Sequence, residues 1–194
     1  ALKSKRYLNL PEGTKVLTPI AGFPTTINPI FQCGFKPVFV DISLDGLNLN
    51  LDEVEATLQA DPEIKIITFA HVLGNPPNMD RLMDIIKHYN LIFLEDCCDA
   101  LGSTYNNKPL GSFGELTSCS FYPAHHITMG EGGFVCTDNE EVYKKLLLLR
   151  NQGRINRGSF IHEEIGFNFR ITDIHAAIGL TQIEKLEFIK QEKL

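Results

Sequence analysis

The sequence predicts an α/β fold with a mostly parallel sheet flanked by helices. Short apolar runs rich in β-branched and aromatic residues alternate with amphipathic stretches along the chain. The runs are too apolar for strands with one face in water, which indicates a sheet covered on both sides. With 194 residues, no visible linker and no internal repeat, the chain is expected to form one domain over residues 1–194.

Each element follows from its local pattern. Strands are predicted at 15–18, 37–42, 64–69, 91–95, 118–121 and 134–137, and helices at 26–32, 51–58, 79–88 and 140–150. Asn50 or Asp52 is expected to cap the second helix, and Asn78 the third. Residues 150–169 carry several glycines and mixed charges and are predicted to form a loop. Thr172 then caps one long final helix, with Ile174, Ile178, Leu186 and Ile189 near one face.

Composition and charge exclude several classes of protein. The net charge of −6 argues against a general nucleic-acid surface. Apolar runs are shorter than a membrane span, and the basic N-terminus is not followed by the apolar stretch of a signal peptide. Five cysteines without a Cys-x-x-Cys pair favour reduced thiols in a cytoplasmic protein and argue against a zinc or iron–sulfur site. We therefore expect no metal, no membrane and no nucleic acid.

Candidate side chains follow the strands on one edge of the predicted sheet. In open α/β sheets, ligands lie beyond the carboxyl ends of the strands. The side chains at those ends are Phe23, His71, Asp96, Asp99, Ser120 and His125. Their shared position indicates a binding site at this edge.

Each candidate also has an ordinary structural explanation. Asp96 could cap a turn, Phe23 could be core, and Ser120 could be satisfied by backbone groups. Asn168, in the later loop, could form an Asx-turn. A histidine in a loop is usually a surface residue, and adjacent histidines such as His125 and His126 rarely face one ion. An imidazole can nevertheless take and return a proton near neutral pH, which favours an acid/base role for His125.

Two segments give the chain a family resemblance. Residues 120–133 read Ser-Phe-Tyr-Pro-Ala-His-His-Ile-Thr-Met-Gly-Glu-Gly-Gly. They resemble the cofactor-lysine segment of the DegT/DnrJ/EryC1/StrS sugar aminotransferases, which use pyridoxal phosphate. That segment reads Ser-Phe, three residues, Lys, then Gly-Glu-Gly-Gly, so His125 stands at the lysine position. Residues 95–102, Glu-Asp-Cys-Cys-Asp-Ala-Leu-Gly, are similar to the segment whose aspartate pairs with the cofactor ring nitrogen.

The resemblance implies a fold and a set of roles. The fold would be the large domain of the fold-type I aminotransferases. Asp96 would hold the ring nitrogen, Asp99 would be a ring-side contact where the family usually has glutamine, and Phe23 would stack on the ring. Ser120 would bind the cofactor phosphate. Asn168 would reach the phosphate in a neighbouring subunit's site, which implies a homodimer.

A histidine at the lysine position is found in one branch of this family, the nucleotide-sugar 3-dehydrases. The implied cofactor is pyridoxamine or pyridoxal phosphate held non-covalently, and the implied substrate is a nucleotide-linked 4-keto-6-deoxy sugar. His125 would remove a proton from the cofactor methylene, and the C3 hydroxyl of the sugar would leave. A separate reductase could complete such a reaction in deoxysugar biosynthesis of the lipopolysaccharide O-antigen type.

The sequence also departs from that pattern. The N-terminal phosphate-binding turn and the small C-terminal domain of the family are expected to be absent from residues 1–194. The CDP-sugar dehydrases carry four cysteines for a two-iron cluster in the stretch that matches residues 150–169, where this sequence has none. No iron–sulfur cluster is therefore expected. Two alternatives stay open: a nucleotide-sugar aminotransferase, and a truncated paralogue that serves as a binding or assembly subunit.

Overall fold

The computed structural model describes residues 10–156, 158 and 160–193. Its main sheet contains β1 (Lys15–Pro19), β2 (Lys36–Val40), β5 (Ile64–Ala70), β6 (Ile92–Asp96), β9 (Leu116–Ser120) and β10 (Gly133–Cys136). Two small hairpins pair β3 (Ile42–Ser43) with β4 (Asn48–Leu49) and β7 (Thr104–Tyr105) with β8 (Lys108–Pro109). The main sheet has the order β10-β9-β6-β5-β1-β2 and is parallel except for β10. The predicted fold class is confirmed.

Both faces of the sheet are buried at its central strands β1, β5 and β6. Neighbouring residues on a strand point to opposite faces. Accordingly, Leu17, Ile67 and Phe93 belong to one apolar cluster, and their neighbours Val16, Ile66 and Leu94 belong to another. This arrangement explains why the strands read as continuous apolar runs, and it leaves the strand ends as the place for polar chemistry.

In the described part of the chain, six helices cover the sheet or extend beyond it. They are α1 (Pro24–Gln32), α2 (Leu51–Ala60), α3 (Met79–Tyr89), α4 (Glu140–Arg150), α5 (Asp173–Ile183) and α6 (Leu186–Lys193), with a short 3₁₀ turn at Val72–Gly74. Asn50, Asn78 and Thr172 accept hydrogen bonds from the first turns of α2, α3 and α5. All three predicted caps are confirmed. No helix in the described part of the chain is long and apolar enough to cross a bilayer.

The prediction of one long final helix is wrong. A turn at Glu184 and Lys185 separates α5 from α6. Most helical stability in proteins comes from packing an apolar face. In α5, Ile174 and Ile178 are exposed, so they do not form the buried stripe that would hold one continuous helix.

Candidate active site

The candidate site forms where β6 and β9 end. These strands are parallel neighbours, and Asp96, the last residue of β6, lies opposite Ser118 of β9. A turn that contains Asp99 follows β6, and a loop that contains His125 follows β9. Because both segments leave adjacent parallel strands at the same edge, their side chains meet.

His125 and Asp99 are in direct contact. Nδ1 of His125 lies 3.0 Å from Oδ1 of Asp99. The histidine side chain is 21% exposed and the aspartate side chain 47%. The structure therefore places the Asp99 carboxylate against the His125 imidazole. Two residues that the sequence predicted as separate site candidates are thus in contact.

Asp96 is held at the strand end by Cys98. Its Oδ1 accepts a hydrogen bond of 3.0 Å from the backbone N–H of Cys98, and the side chain is half-buried. Burial, together with a hydrogen bond to Asp96, raises the pKa of the Cys98 thiol. The thiol thus stays protonated, and the backbone N–H of the same residue fixes the Asp96 carboxylate at the carboxyl edge of β6.

Ser120 ends one strand and Phe23 follows another, and these two strands lie on opposite sides of β6 in the sheet. Ser120 is half-buried at the end of β9, and its Oγ accepts from the backbone N–H of Tyr122 at 3.1 Å. Phe23 precedes α1 on the loop after β1, two strands away from β6, and is 71% exposed. The interpretation of Phe23 as a core residue is therefore wrong, and its ring remains accessible to a ligand.

Asn168 lies on the loop between α4 and α5. It forms an isolated β-bridge with Asn151, the residue after α4, and its Oδ1 accepts from Nε of Arg170 at 2.9 Å. The residue is exposed. The structure gives Asn168 local contacts within its own loop and does not join it to the contact between His125 and Asp99.

A buried hydrogen-bonded pair lies at this edge of the sheet, between His71, which the sequence placed at a strand end, and Glu95, which was not among the predicted site residues. Nε2 of His71 lies 3.1 Å from Oε2 of Glu95, and both side chains are completely buried. Glu95 also accepts from the backbone N–H groups of Gly111 (2.8 Å), Phe113 (2.7 Å) and Gly114. The acidic residue within the apolar run at 91–95 was the signal that could have found it, because a carboxylate in a buried strand must have partners.

These partners determine the ionisation of Glu95. Burial raises the pKa of the carboxyl, but the hydrogen bond from His71 and those from Gly114 and Gly111 outweigh burial, and the net effect lowers the pKa. Glu95 is thus a buried carboxylate that ties the loop after β8 to the end of β5.

His71, Glu95 and Cys97 could in principle hold a metal ion, since their ligand atoms lie within 4.8 Å of one another. However, both Glu95 oxygens already accept hydrogen bonds, and burial raises the pKa of the Cys97 thiol. A metal ligand must be the thiolate, and an ion would have to displace the His71–Glu95 contact. We therefore assign this cluster a structural role.

The comparisons with known proteins decide the family. Residues 1–194 match the DegT/DnrJ/EryC1/StrS aminotransferase family along their full length. The chain belongs to this family. The prediction made from the segments at 95–102 and 120–133 is confirmed.

The chain is similar to proteins named for lipopolysaccharide biosynthesis, for 3-dehydration and for the synthesis of GDP-perosamine. The lipopolysaccharide biosynthesis protein RfbH of Salmonella typhimurium is 40% identical over 95% of this chain and 48% of its own length. The dTDP-4-dehydro-2,6-dideoxy-D-glucose 3-dehydratase of Saccharopolyspora spinosa is 39% identical over 91% of the chain and 43% of its own length. The GDP-perosamine synthase of Escherichia coli O157:H7 is 34% identical over 96% and 51%. The chain spans about half the length of the curated relatives it matches.

Solved structures agree with this assignment. An E. coli GDP-4-keto-6-deoxy-D-mannose-3-dehydratase with bound hydrated PLP superposes with a TM-score of 0.83 at 32% identity, over 92% of this chain and 50% of that chain. The fold is therefore that of about half of a sugar-aminotransferase-type enzyme, and the chain comes from a family that uses pyridoxal phosphate.

The residues at the strand ends fit such a cofactor chemically. A pyridinium nitrogen needs a carboxylate acceptor, which Asp96 provides. A phosphate needs donors, and the Ser120 hydroxyl that accepts from Tyr122 retains a proton to donate. An aromatic ring such as that of Phe23 can cover a flat ligand. The donor set therefore matches the group that the family uses.

Proposed function

We propose that the intact protein catalyses dehydration at C3 of a nucleotide-linked 4-keto-6-deoxyhexose, using pyridoxamine phosphate, in deoxysugar biosynthesis of the lipopolysaccharide type. The observation that carries this proposal is His125, which stands where the aminotransferases of the family have their cofactor-binding lysine. A histidine cannot bind the cofactor covalently as that lysine does, but it can move protons near neutral pH. The similarity to two proteins named for 3-dehydration or lipopolysaccharide synthesis supports the same conclusion.

The proposed roles follow from the side-chain chemistry. When bound, the cofactor would supply an amine that condenses with the sugar ketone and a ring that accepts electrons. Asp96 would accept a hydrogen bond from the ring nitrogen and keep that nitrogen protonated. Ser120 would donate to the phosphate, and Phe23 would lie on a ring face. His125 would take up a proton at an imidazole nitrogen and return it as the sugar C3 hydroxyl leaves.

The remaining roles concern partners. We propose that the protein works as a homodimer in which Asn168 reaches the phosphate of the neighbouring subunit's site. Its exposed position on the loop after α4 is compatible with contact to another chain. A separate reductase would be required if the dehydration product has to be reduced, and the protein would act in the cytoplasm.

Amino transfer is the second candidate function, and the similarity to a GDP-perosamine synthase favours it. Without a lysine, exchange of the amino group should be slow, because the amine would have to be released and recaptured without covalent assistance. The two functions differ in their product: amino transfer leaves nitrogen on the sugar and keeps the C3 oxygen, whereas dehydration removes the C3 oxygen and leaves no nitrogen on the sugar.

The test is a titration followed by a product analysis. Pyridoxamine phosphate added to the protein should give a saturable change in near-ultraviolet absorbance, and the Asp96→Ala variant should weaken binding. In a single turnover without glutamate, the loaded protein should then convert a 4-keto-6-deoxy nucleotide sugar to a product that has lost the C3 oxygen and carries no nitrogen, while the bound pyridoxamine phosphate is oxidised to pyridoxal phosphate. Failure to bind the cofactor contradicts the proposal, and a product that carries nitrogen and keeps the C3 oxygen favours amino transfer instead.

A further inference from the structure

Asp99 occupies a position that its predicted role does not explain. The predicted role is a ring-side contact. In the structure one oxygen of the Asp99 carboxylate lies 3.0 Å from Nδ1 of His125, between two loops that leave adjacent strands. Hydrogen bonding at Nδ1 determines which imidazole nitrogen carries the proton.

Both partners are held in place by their own loops. The His125 loop is closed by backbone bonds from Phe121 to Gly132 (2.9 Å) and from Met129 to Phe121 (2.9 Å), and Met129 is buried. The backbone N–H of His125 also donates to Tyr122 at 3.0 Å. The imidazole of His125 thus extends from a loop that backbone hydrogen bonds close and in which Met129 is buried.

The Asp99 turn is fixed in a similar way. Its flanking residues Cys97 and Ala100 are buried, and the N–H of Ala100 donates to the carbonyl of Cys97 at 3.0 Å. The carbonyl of Asp99 lies against Gly74, where a Cβ atom would approach it to 3.3 Å. Both side chains therefore extend from segments whose backbones are held in place. This arrangement favours the contact between the carboxylate and the imidazole.

We propose that Asp99 is a positioning residue that accepts a hydrogen bond from Nδ1–H of His125 and so makes Nε2 the proton-accepting atom. This inference rests on the proposed function, because it assigns the atom that carries out the proton transfer. A carboxylate that accepts from Nδ1–H holds the ring in one tautomer and orientation and stabilises the imidazolium once Nε2 has taken a proton. The charge of Asp99, which a glutamine would lack, supplies this stabilisation.

The tautomer can be measured in the absence of any cofactor. Long-range ¹H–¹⁵N correlation spectra of the full chain, recorded where the imidazoles are neutral, distinguish Nδ1–H from Nε2–H. The His125→Gln variant identifies the His125 signals among those of six histidines. We expect the Nδ1–H pattern for His125, and His71, which contacts Glu95 through Nε2, provides an internal reference with the opposite pattern. Asp99→Ala should convert His125 alone to the Nε2–H form, which neutral imidazole side chains favour in water.

Kinetics of the cofactor-loaded protein provide the second measurement. Asp99→Ala should lower kcat by about 10- to 100-fold with little change in KM, less than the ~10²–10⁴-fold expected for loss of the base itself. Asp99→Glu restores a carboxylate and should recover most of that loss. The matched control is Asp138→Ala, since Asp138 is exposed after β10 at the opposite edge of the sheet, and it should change neither the tautomer nor kcat.

The outcomes separate this inference from the function on which it rests. An Nδ1–H tautomer that depends on Asp99, in a wild-type protein that does not dehydrate the sugar, supports the positioning role and contradicts the proposed function. Dehydration by the wild type combined with an Asp99→Ala variant of unchanged tautomer and unchanged kcat overturns the role of Asp99.

Discussion

Glu95 and His71 form a buried hydrogen-bonded pair at the carboxyl edge of the sheet. The contact joins Nε2 of His71 to Oε2 of Glu95 at 3.1 Å, and neither side chain reaches solvent. Glu95 is the residue before Asp96 on β6, and it also accepts backbone hydrogen bonds from the segment at 111–114. The pair therefore links the strand that carries Asp96 to β5 and to the loop that precedes β9.

Replacing the buried carboxylate should destabilise the fold. Glu95→Gln keeps the volume of the side chain but directs an amide N–H₂ group at backbone or imidazole donors. We expect the free energy of unfolding to fall by about 3 kcal/mol, because buried donors lose their acceptor. Urea unfolding of wild type and variant measures the difference. Glu63→Gln is the matched control, since Glu63 is exposed and pairs with Lys15 at the surface, and it should have little effect.

The same carboxylate should contribute a pH-dependent part of the stability. The pKa of Glu95 is lowered from its ordinary value of 4.5. A group whose pKa is lower in the folded state stabilises the fold above its unfolded pKa, and this stabilisation is lost as the pH falls through the folded value. The stability advantage of wild type over Glu95→Gln should therefore be constant above about pH 5 and shrink at lower pH. Unfolding curves that stay equally far apart down to about pH 2 would contradict the ionised state of Glu95.

A larger side chain at Gly111, in the segment that donates hydrogen bonds to Glu95, should destabilise the fold. This residue has a φ of +90°, and an added Cβ would lie 2.9 Å from Cγ2 of Thr117 and 3.2 Å from Sγ of Cys97. Gly111→Ala is expected to cost about 2 kcal/mol or more, from crowding and from the left-handed backbone conformation. Gly46→Ala is the control, because the nearest atom to its Cβ is a side-chain nitrogen of Asn75 at 3.9 Å. Equal thermal stability of the two variants would refute this expectation.

The cysteines should differ sharply in reactivity. Burial raises the pKa of the Cys119 thiol to about 12 and also raises the pKa of Cys97 and Cys98, whereas Cys136 is exposed on β10. Since the thiolate is the reactive form, iodoacetamide at about pH 8 should modify Cys136 first, and Cys97, Cys98 and Cys119 only on unfolding. Peptide mass spectrometry of the native protein checks the order. Early modification of Cys119 would show that the edge formed by β9 and β10 opens more readily than its buried contacts imply.

The elements of the fold could be predicted because their signals are local. The apolar runs specified the six long strands, and Asn50, Asn78 and Thr172 marked where helices begin. The end of α5 could not be predicted in this way. Its apolar residues suggested a continuous face, but whether a helix continues depends on what packs against it, and Ile174 and Ile178 are exposed.

The candidate site was predictable as a set of residues and not as a set of contacts. Strand ends and family motifs pointed to Asp96, Asp99, Ser120 and His125. The contact between Asp99 and His125 depends on two loops whose paths the sequence pattern does not specify. Glu95 was overlooked because a single charge within an apolar run has no visible partner until folding brings His71 and the segment at 111–114 to it.

Reductive trapping tests the central claim, that His125 occupies the position of the cofactor-binding lysine. The His125→Lys variant is incubated with pyridoxal phosphate and then with borohydride, with His126→Lys as the matched control in the same loop. We predict a covalent pyridoxyl label on residue 125 of the first variant and none on residue 126 of the second, because only position 125 should face the ring pocket. A folded His125→Lys variant that gains no label, or a label of equal yield at both positions, would contradict the account.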